Sequence, residues 1–445
     1  MLTKRMRVLA LDIGTSSVRA RLVDEEAEPT GEDARARYGG DEGLLDAEEL
    51  LRAAEHVLHE ARRGAVDAVG ASCFWHSLVA LDERDRPLTP VLTWRDVRSA
   101  SHADDLRRRL DAAAVHARTG CHLHSSYWPA KLAWLRAEEP DVFARARRFV
   151  SFPDLLLLRL AGELRASLSQ ASATGLHGRD GWDEELLDAL GVREEQLPPV
   201  SDEPVGEWFP PWGDGACSNV GAGCVTRDRA ALMVGTSGAL RVVREDDGAP
   251  PRPGLFLYRV DGRRVVEGGS LSDGGNLYAW LERTLRLPED VDLAEREPVA
   301  HGLTFLPLLG GERSPGWHAH ARGAIAGLSL STTPTDLLQA ALEGVALRFA
   351  EIADLLPDAR ELVATGGALD ANPAWAQIVA DVLGRPVRRG VGEGSVRGAA
   401  VLALERLGAT PPAAEVGDAF EPRPERAEAY RSARERQRDL YRGVT

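Results

Sequence analysis

Ala10-Leu11-Asp12-Ile13-Gly14-Thr15-Ser16-Ser17 and Ala231-Leu232-Met233-Val234-Gly235-Thr236-Ser237-Gly238 carry one pattern twice in a chain of 445 residues. Each stretch is an apolar run ending in a tip of small residues. A second apolar run follows each, at 18–23 and 239–243. Run, Gly-Thr-Ser tip and returning run read as a β-hairpin. The two copies lie half a chain apart, which predicts two structurally related halves, each opening on a hairpin.

Around the hairpins, strands alternate with helices. Residues 66–74 read as a strand, and 46–62, 103–117 and 129–138 have helical period. In the second half Thr333 caps a helix that has Pro334 first and runs through Leu355. Residues 361–365 read as a strand and Gly366-Gly367 as a turn. Asn372 caps a helix that starts at Pro373 and stops at Gly384, and Ser395 opens another through Leu407. This alternation is that of an α/β protein. Residues 197–215, with five prolines, read as a loop approaching the boundary between domains at 1–222 and 223–445.

Composition narrows the functional classes. With 44% hydrophobic and 28% charged residues, the chain has enough apolar material for two cores. A net charge of −15 argues against nucleic-acid binding. Lysine occurs only at Lys4 and Lys131; the many arginines are interleaved with acids. Cys73, Cys121, Cys217 and Cys224 form no metal spacing and read as free thiols of a reducing compartment. No apolar run reaches the length of a membrane span. The cytoplasm is the expected location.

The hairpin tips suggest the chemistry. Gly14, Thr15, Ser16 and Ser17, with Gly235, Thr236 and Ser237, offer backbone N–H groups and hydroxyls to anions. Two such tips facing each other would clamp a polyphosphate. Asp12 precedes the first tip, where the second has Met233, and reads as a water-mediated Mg²⁺ anchor. Gly366-Gly367-Ala368, followed by Asn372, lies at a strand-to-helix edge where α/β proteins bind nucleotides. Neither a Walker loop nor a dinucleotide fingerprint occurs.

Further motifs are Thr93-Trp94-Arg95-Asp96-Val97-Arg98-Ser99, Gly302-Leu303-Thr304-Phe305-Leu306-Pro307, Gly310-Gly311-Glu312-Arg313-Ser314-Pro315-Gly316-Trp317 and Ala364-Thr365-Gly366-Gly367-Ala368. With the first hairpin, they make the chain resemble the FGGY carbohydrate kinase family from Leu9 to about Gly408. The resemblance implies a duplicated actin-like ATPase fold (ribonuclease H-like), with two domains and a central cleft. It implies transfer of the γ-phosphate of ATP, with Mg²⁺, to a sugar or sugar acid, and a homodimer at family level. Gly213-Asp214-Gly215-Ala216 matches the family turn that carries the catalytic base, so Asp214 is the base and, with Asp12, a metal-site carboxylate. Phe74-Trp75-His76-Ser77 matches a sugar-contacting segment, with His76 as the contact and Trp75 as a stacking face. Asp96 is expected on sugar hydroxyls, and Arg98 or Lys131 on a substrate anion.

The segment 119–131 looks most like the gluconokinase branch, which implies D-gluconate going to 6-phosphogluconate; a xylulokinase or other pentulose kinase is the alternative. One stretch departs from the family pattern. Pro204 to Trp212 stands where relatives run an apolar strand into the catalytic turn, and it is shorter. That departure leaves a non-catalytic sugar- or ATP-binding protein as a reading of another class. An actin-like filament or chaperone ATPase shares the hairpins but lacks the His76 and Asp96 elements.

Overall fold

The computed structural model describes residues 6–40, 43–287, 293, 295–390 and 392–445; Lys4 lies outside the described residues. In the first half, strand β1 (Val8–Ile13) turns through the Gly-Thr-Ser tip into β2 (Ser17–Val23), with Ile13 opposite Val18. Strand β3 (Ala34–Arg37) follows. Helix α1 (Ala47–Ala61) is capped by Asp46, whose side chain accepts from the Glu49 N–H, and it buries Leu50, Leu51, Ala54 and Val57. Strand β4 (Ala68–Cys73) is parallel to β1.

The helix expected over 103–117 is two helices, α2 (Ala100–Arg109) and α3 (Ala112–Thr119). The break follows from Asp111, which accepts from the N–H groups of Ala113 and Ala114 and so starts a new helix. Helices α4 (Trp128–Glu138) and α5 (Phe152–Ala161) follow. Residues 197–215 are not all loop. They end in a two-residue strand, β5 (Trp212–Gly213), and run directly into α6 (Asp214–Gly221). Strand β5 lies on the sheet edge, parallel to the end of β4, and an edge tolerates Pro210 and Pro211 just ahead of it.

The second half repeats the plan. Strands β6 (Arg229–Val234) and β7 (Gly238–Glu245) form the second hairpin. They are followed by β8 (Phe256–Arg259), β9 (Arg264–Leu271), α7 (Gly275–Thr284) and α8 (Pro334–Asp354). Thr333 and Asp336 make a reciprocal capping box on α8. After β10 (Glu361–Thr365), helix α9 (Pro373–Leu383) starts at its Asn372 cap and stops at left-handed Gly384 (φ 61°). Strand β11 (Val387–Gly390), helix α10 (Gly394–Arg406) and strand β12 (Val416–Phe420) complete the unit.

The sheet orders are β3-β2-β1-β4-β5 and β8-β9-β7-β6-β10-β11-β12. In both sheets the hairpin has an antiparallel neighbour on one side and two parallel strands on the other. The fifth strand of each set leads into a helix, α6 or α10. These two helices cross in close contact, and α10 also packs on β1 and β4. A shared apolar core joins them: Ala10 and Ala68 from the first sheet, Val243 and Val266 from the second, Ala216 and Val220 from α6, Ala399 and Ala403 from α10. The four cysteines are free and buried.

Candidate active site

Asp214 is the first residue of α6, where β5 gives way to helix at the edge of the first sheet. Its carboxylate accepts from the Gly215 N–H (2.8 Å). Burial raises its pKa, opposed by Arg241, by backbone N–H groups and more weakly by Arg313. Asp12, at the end of β1, accepts from Ser72 Oγ (2.8 Å) and pairs with Arg19 Nε at 3.4 Å. Burial pushes its carboxyl up to about 6, and the charge of Asp214 adds to the rise. A buried carboxylate, Asp12, whose ionisation the half-buried Asp214 disfavours makes with it a pair that suits a divalent cation shared with phosphate oxygens and water. Among the described residues they join no cluster of three or more metal-ligating side chains.

The second tip is held from two sides. The Gly275 and Asn276 N–H groups, at the start of α7, donate to the Gly235 and Thr236 carbonyls (2.7 and 3.0 Å). Gly366 turns at φ 92° against Val234; a Cβ there would lie 2.6 Å from the Val234 carbonyl oxygen, so only glycine fits. A cavity of about 840 Å³ opens beside this tip. Gly235, Thr236, Gly367, Ala368 and Asn372 line it, as the sequence reading expects; Ser237 and Gly366 are adjacent but do not. Asn372 also caps α9 through the Trp375 N–H (3.2 Å). The first-tip residues Gly14, Thr15, Ser16 and Ser17 do not line this cavity. Their loop is closed by the Gly14 N–H on the Ser17 carbonyl (3.0 Å) and by the Tyr38 hydroxyl on the Gly14 carbonyl.

A second cavity, about 550 Å³, is lined from the first half by Trp94, Asp96 and His124, and from the second by Ser272, Gly310 and Arg313. Arg95 and Asn276 line both cavities, so the two lie end to end in one cleft between the halves. His76 sits just past the end of β4 with φ 67°, a left-handed conformation uncommon outside glycine. Its Nδ1 lies 2.7 Å from the Ala173 carbonyl and donates to it, while burial lowers the ring pKa to about 3. The ring is therefore neutral, with Nε2 as an acceptor.

Three expected contacts are corrected by the structure. Trp75 does not offer a free face: its Nε1 donates to Ser169 O (3.1 Å) and its ring lies against Gly213 and Gly215 and edge-on to Tyr258. It supports the Asp214 turn from below. Lys131 does not reach the cleft either. Its fully buried ammonium donates to the carbonyls of His76 (2.5 Å) and Leu92 (3.2 Å), and burial lowers its pKa to about 7. It fixes the backbone that carries His76. Arg98 lines the cleft, but its fork is bound to Asp96 (2.9 and 2.8 Å) and lies over the Trp134 ring (4.2 Å), so it is not a free anion receptor.

The sequence reading missed the turn between β9 and α7. Asp273 in that turn is buried and pushed to about 6; its carboxylate accepts from the Gly310 N–H (3.3 Å). The Gly274-Gly275 pair between strand and helix is the same signal that singled out Gly366-Gly367. It also missed Arg313, buried in the lining of the second cavity and lying inside the Gly310–Trp317 motif, and Arg241, buried beside Asp214, which no pattern separates from the many surface arginines.

The FGGY family of carbohydrate kinases, N-terminal domain, matches residues 7–208, and its C-terminal domain matches residues 230–405. The chain belongs to the FGGY family of carbohydrate kinases. A gluconokinase of Bacillus subtilis (strain 168) is 28% identical over 425 residues, covering 84% of this chain and 82% of the relative. A xylulose kinase of Streptomyces coelicolor is 32% identical over 420 residues, covering 86% and 84%. Among solved structures, gluconate kinase from Lactobacillus acidophilus superposes with a TM-score of 0.88 at 25% identity, covering 99% of this chain and 98% of that one. The chain is thus an ATP-dependent FGGY sugar kinase on the duplicated actin-like fold, and enzymes of this family work with a divalent metal, generally Mg²⁺. Among the described residues no helix of this FGGY kinase is long and apolar enough to cross a membrane.

Proposed function

We propose that this FGGY kinase phosphorylates a sugar acid, D-gluconate at its terminal hydroxyl, giving 6-phosphogluconate. One observation carries the acidic substrate: with Arg98 paired to Asp96, three further arginines (95, 313 and 322) line the cleft cavity in a protein of net charge −15. The gluconokinase and gluconate kinase relatives support the same reading. A ketopentose is the second reading, favoured by the xylulose kinase relative.

In this reading residues 1–222 hold the acceptor and residues 223–445 most of the nucleotide. The base of ATP occupies the cavity beside Ala368 and Trp375, and its phosphates run past the Gly235–Ser237 tip toward Asp12 and Asp214. Asp214 accepts the proton of the attacking hydroxyl as oxygen bonds to the γ-phosphorus and the bond to the β-phosphate oxygen breaks, releasing ADP. Neutral His76 accepts a hydrogen bond from a substrate hydroxyl, and Asp96 another. Asp12 and Asp214 would hold Mg²⁺ when it is bound, which would supply charge neutralisation to the phosphates.

The test is ADP release with Mg-ATP against D-gluconate, D-xylulose, L-ribulose, glycerol and no acceptor. Selective turnover of gluconate is expected; selective turnover of a ketose would discard the acidic substrate and keep the kinase. Asp214→Asn is expected to lower kcat by about 10²–10⁴-fold while retaining gluconate binding. An undiminished Asp214→Asn enzyme removes the base assignment.

A further inference from the structure

Arg95 stands where the two cavities of the cleft meet. It lines the larger one with Gly235 and Thr236 and the smaller one with Asp96 and Arg313, and it shares this double position with Asn276. The other described lining residues of the larger cavity all come from the second half, so Arg95 is what the first half contributes to it. Its backbone is held on three sides. The Thr93 N–H donates to the Gly43 carbonyl (2.9 Å), the Arg95 N–H to Thr93 Oγ1 (3.3 Å) and the Asp96 N–H to the Thr93 carbonyl (3.2 Å). Its side chain is free. Of the four arginines lining the smaller cavity, Arg98 is bound to Asp96, Arg313 donates to the Leu271 carbonyl (2.7 Å) and Arg322 to the His320 and Ala321 carbonyls (3.2 and 3.0 Å). The Arg95 guanidinium is exposed, makes no hydrogen bond or ion pair among the described residues, and stands 5.9 Å from the centroid of the Trp94 ring.

An uncommitted fork on a fixed backbone is a receptor for an oxyanion, and phosphate oxygens match its geometry. The larger cavity lacks a cation where a triphosphate needs one. The Gly235-Thr236 tip offers N–H groups and a hydroxyl but no positive charge. The other lining cation, Arg283, is beside Glu282 in the last turn of α7, roughly 12 Å along the helix from Gly275 and the tip. Arg95 fills that need from across the cleft. Position also selects the phosphate. The γ-phosphorus must bond to an acceptor oxygen, so the γ-phosphate is the one at the boundary between the cavities, where Arg95 is.

We propose that Arg95 is a catalytic residue of this kinase that binds the γ-phosphate of ATP from the acceptor side of the cleft. As the acceptor oxygen bonds to the γ-phosphorus, its proton passes to Asp214 and the bond to the β-phosphate oxygen breaks; the Arg95 fork donates to the non-bridging γ-oxygens and stabilises their charge. A bound triphosphate thereby ties the tip of one half to the cation of the other, which ADP does not. Arg313 and Arg322, which line the smaller cavity but not the larger, are left to the acceptor. This inference rests on the reading of the larger cavity as the nucleotide's.

The probes are Mg-ADP, D-gluconate and the Mg²⁺ complex of β,γ-imido-ATP, which keeps a γ-phosphate and does not transfer it. Binding of each to the full-length protein is measured by calorimetry, and kcat by ADP release with Mg-ATP. Arg95→Gln is expected to lower affinity for the imido analogue roughly tenfold and kcat by about 10²-fold or more, with ADP and gluconate affinities unchanged. Arg95→Lys, which keeps the charge and loses the fork, is expected to fall between the two. Unchanged affinity of Arg95→Gln for the imido analogue overturns the proposal. So does an equal loss on ADP, which would assign Arg95 to the inner phosphates, and so does a loss on gluconate with both nucleotides intact, which would assign it to the acceptor. Ala368→Trp tests the underlying reading separately. If it leaves ADP affinity intact, the larger cavity is not the nucleotide's, and that reading fails whatever the Arg95 variants show.

Discussion

Gly398→Ala tests how the crossing of α6 and α10 positions Asp214. A Cβ on Gly398 would lie 1.8 Å from the Cys217 carbonyl oxygen of α6, and one on Gly221 would lie 1.8 Å from the Gly394 carbonyl oxygen of α10. An ordinary contact at that point begins near 3.4 Å, so one methyl group forces the helices apart by about 1.6 Å. Overpacking of this kind costs about 1–3 kcal/mol, and the better helix propensity of alanine returns up to about 1 kcal/mol. With that return in full, the net loss of about 0–2 kcal/mol corresponds to a fall in Tm of up to roughly 8 °C. The functional effect is the larger one, because the moved helix begins with Asp214. A displacement of about 1 Å at a reacting group costs on the order of 10²-fold in rate. Thermal unfolding and a coupled ADP-release assay on the same preparation are the measurements, and the KM for ATP is expected to stay near wild type because the base cavity lies on α7 and α9. A variant with wild-type Tm and wild-type kcat would refute the argument that backbone contact at this crossing sets the position of the carboxylate.

Two further outcomes follow from the same geometry. Ala368→Trp fills the nucleotide cavity beside Gly367 and Asn372 and is expected to raise the KM for ATP at least about tenfold, with gluconate binding in the absence of nucleotide intact; an unchanged KM places the base elsewhere. Asp154 caps α5 with Oδ2 on the Ser151 N–H (2.7 Å), its Oδ1 has no partner, and burial raises its pKa from 3.8 to about 7. A folded-state pKa above the unfolded one means that the fold holds the extra proton, so this stabilisation is present below pH 4 and is lost as pH rises through about 7. Asp154→Asn keeps the acceptor and cannot ionise. Its stability relative to wild type is therefore expected to improve between pH 5 and pH 8 in denaturant titrations, and a pH-independent difference would contradict the raised pKa.

The hairpins, the capped helices and the Gly366-Gly367 turn were legible because each is local. Apolar runs on either side of Gly-Thr-Ser make a hairpin wherever they occur, Thr333-Pro334 and Asn372-Pro373 start helices through side-chain-to-backbone bonds a few residues long, and Gly366-Gly367 forms its turn for lack of a Cβ. The helix over 103–117 failed for a local reason too: its apolar period continues past Asp111, but the cap there outweighs the period. Lys131 failed for a different reason. A lone lysine among arginines marks a position that needs a compact charge, yet whether that charge faces a ligand or two backbone carbonyls depends on β4 and α4 meeting.

The sequence by itself determined the duplication, the α/β alternation and the two Gly-Thr-Ser hairpin tips, since each needs only near neighbours along the chain. Tertiary structure alone decided which charges face one another. Asp12 and Asp214 stand 202 positions apart and become neighbours because β1, β4 and β5 are parallel in one sheet. Arg241 joins them only because two glycines, Gly215 on α6 and Gly268 on β9, leave space for it. Electrostatic energy depends on distance through space and on burial, and the order of residues along a chain contains neither until the two halves pack.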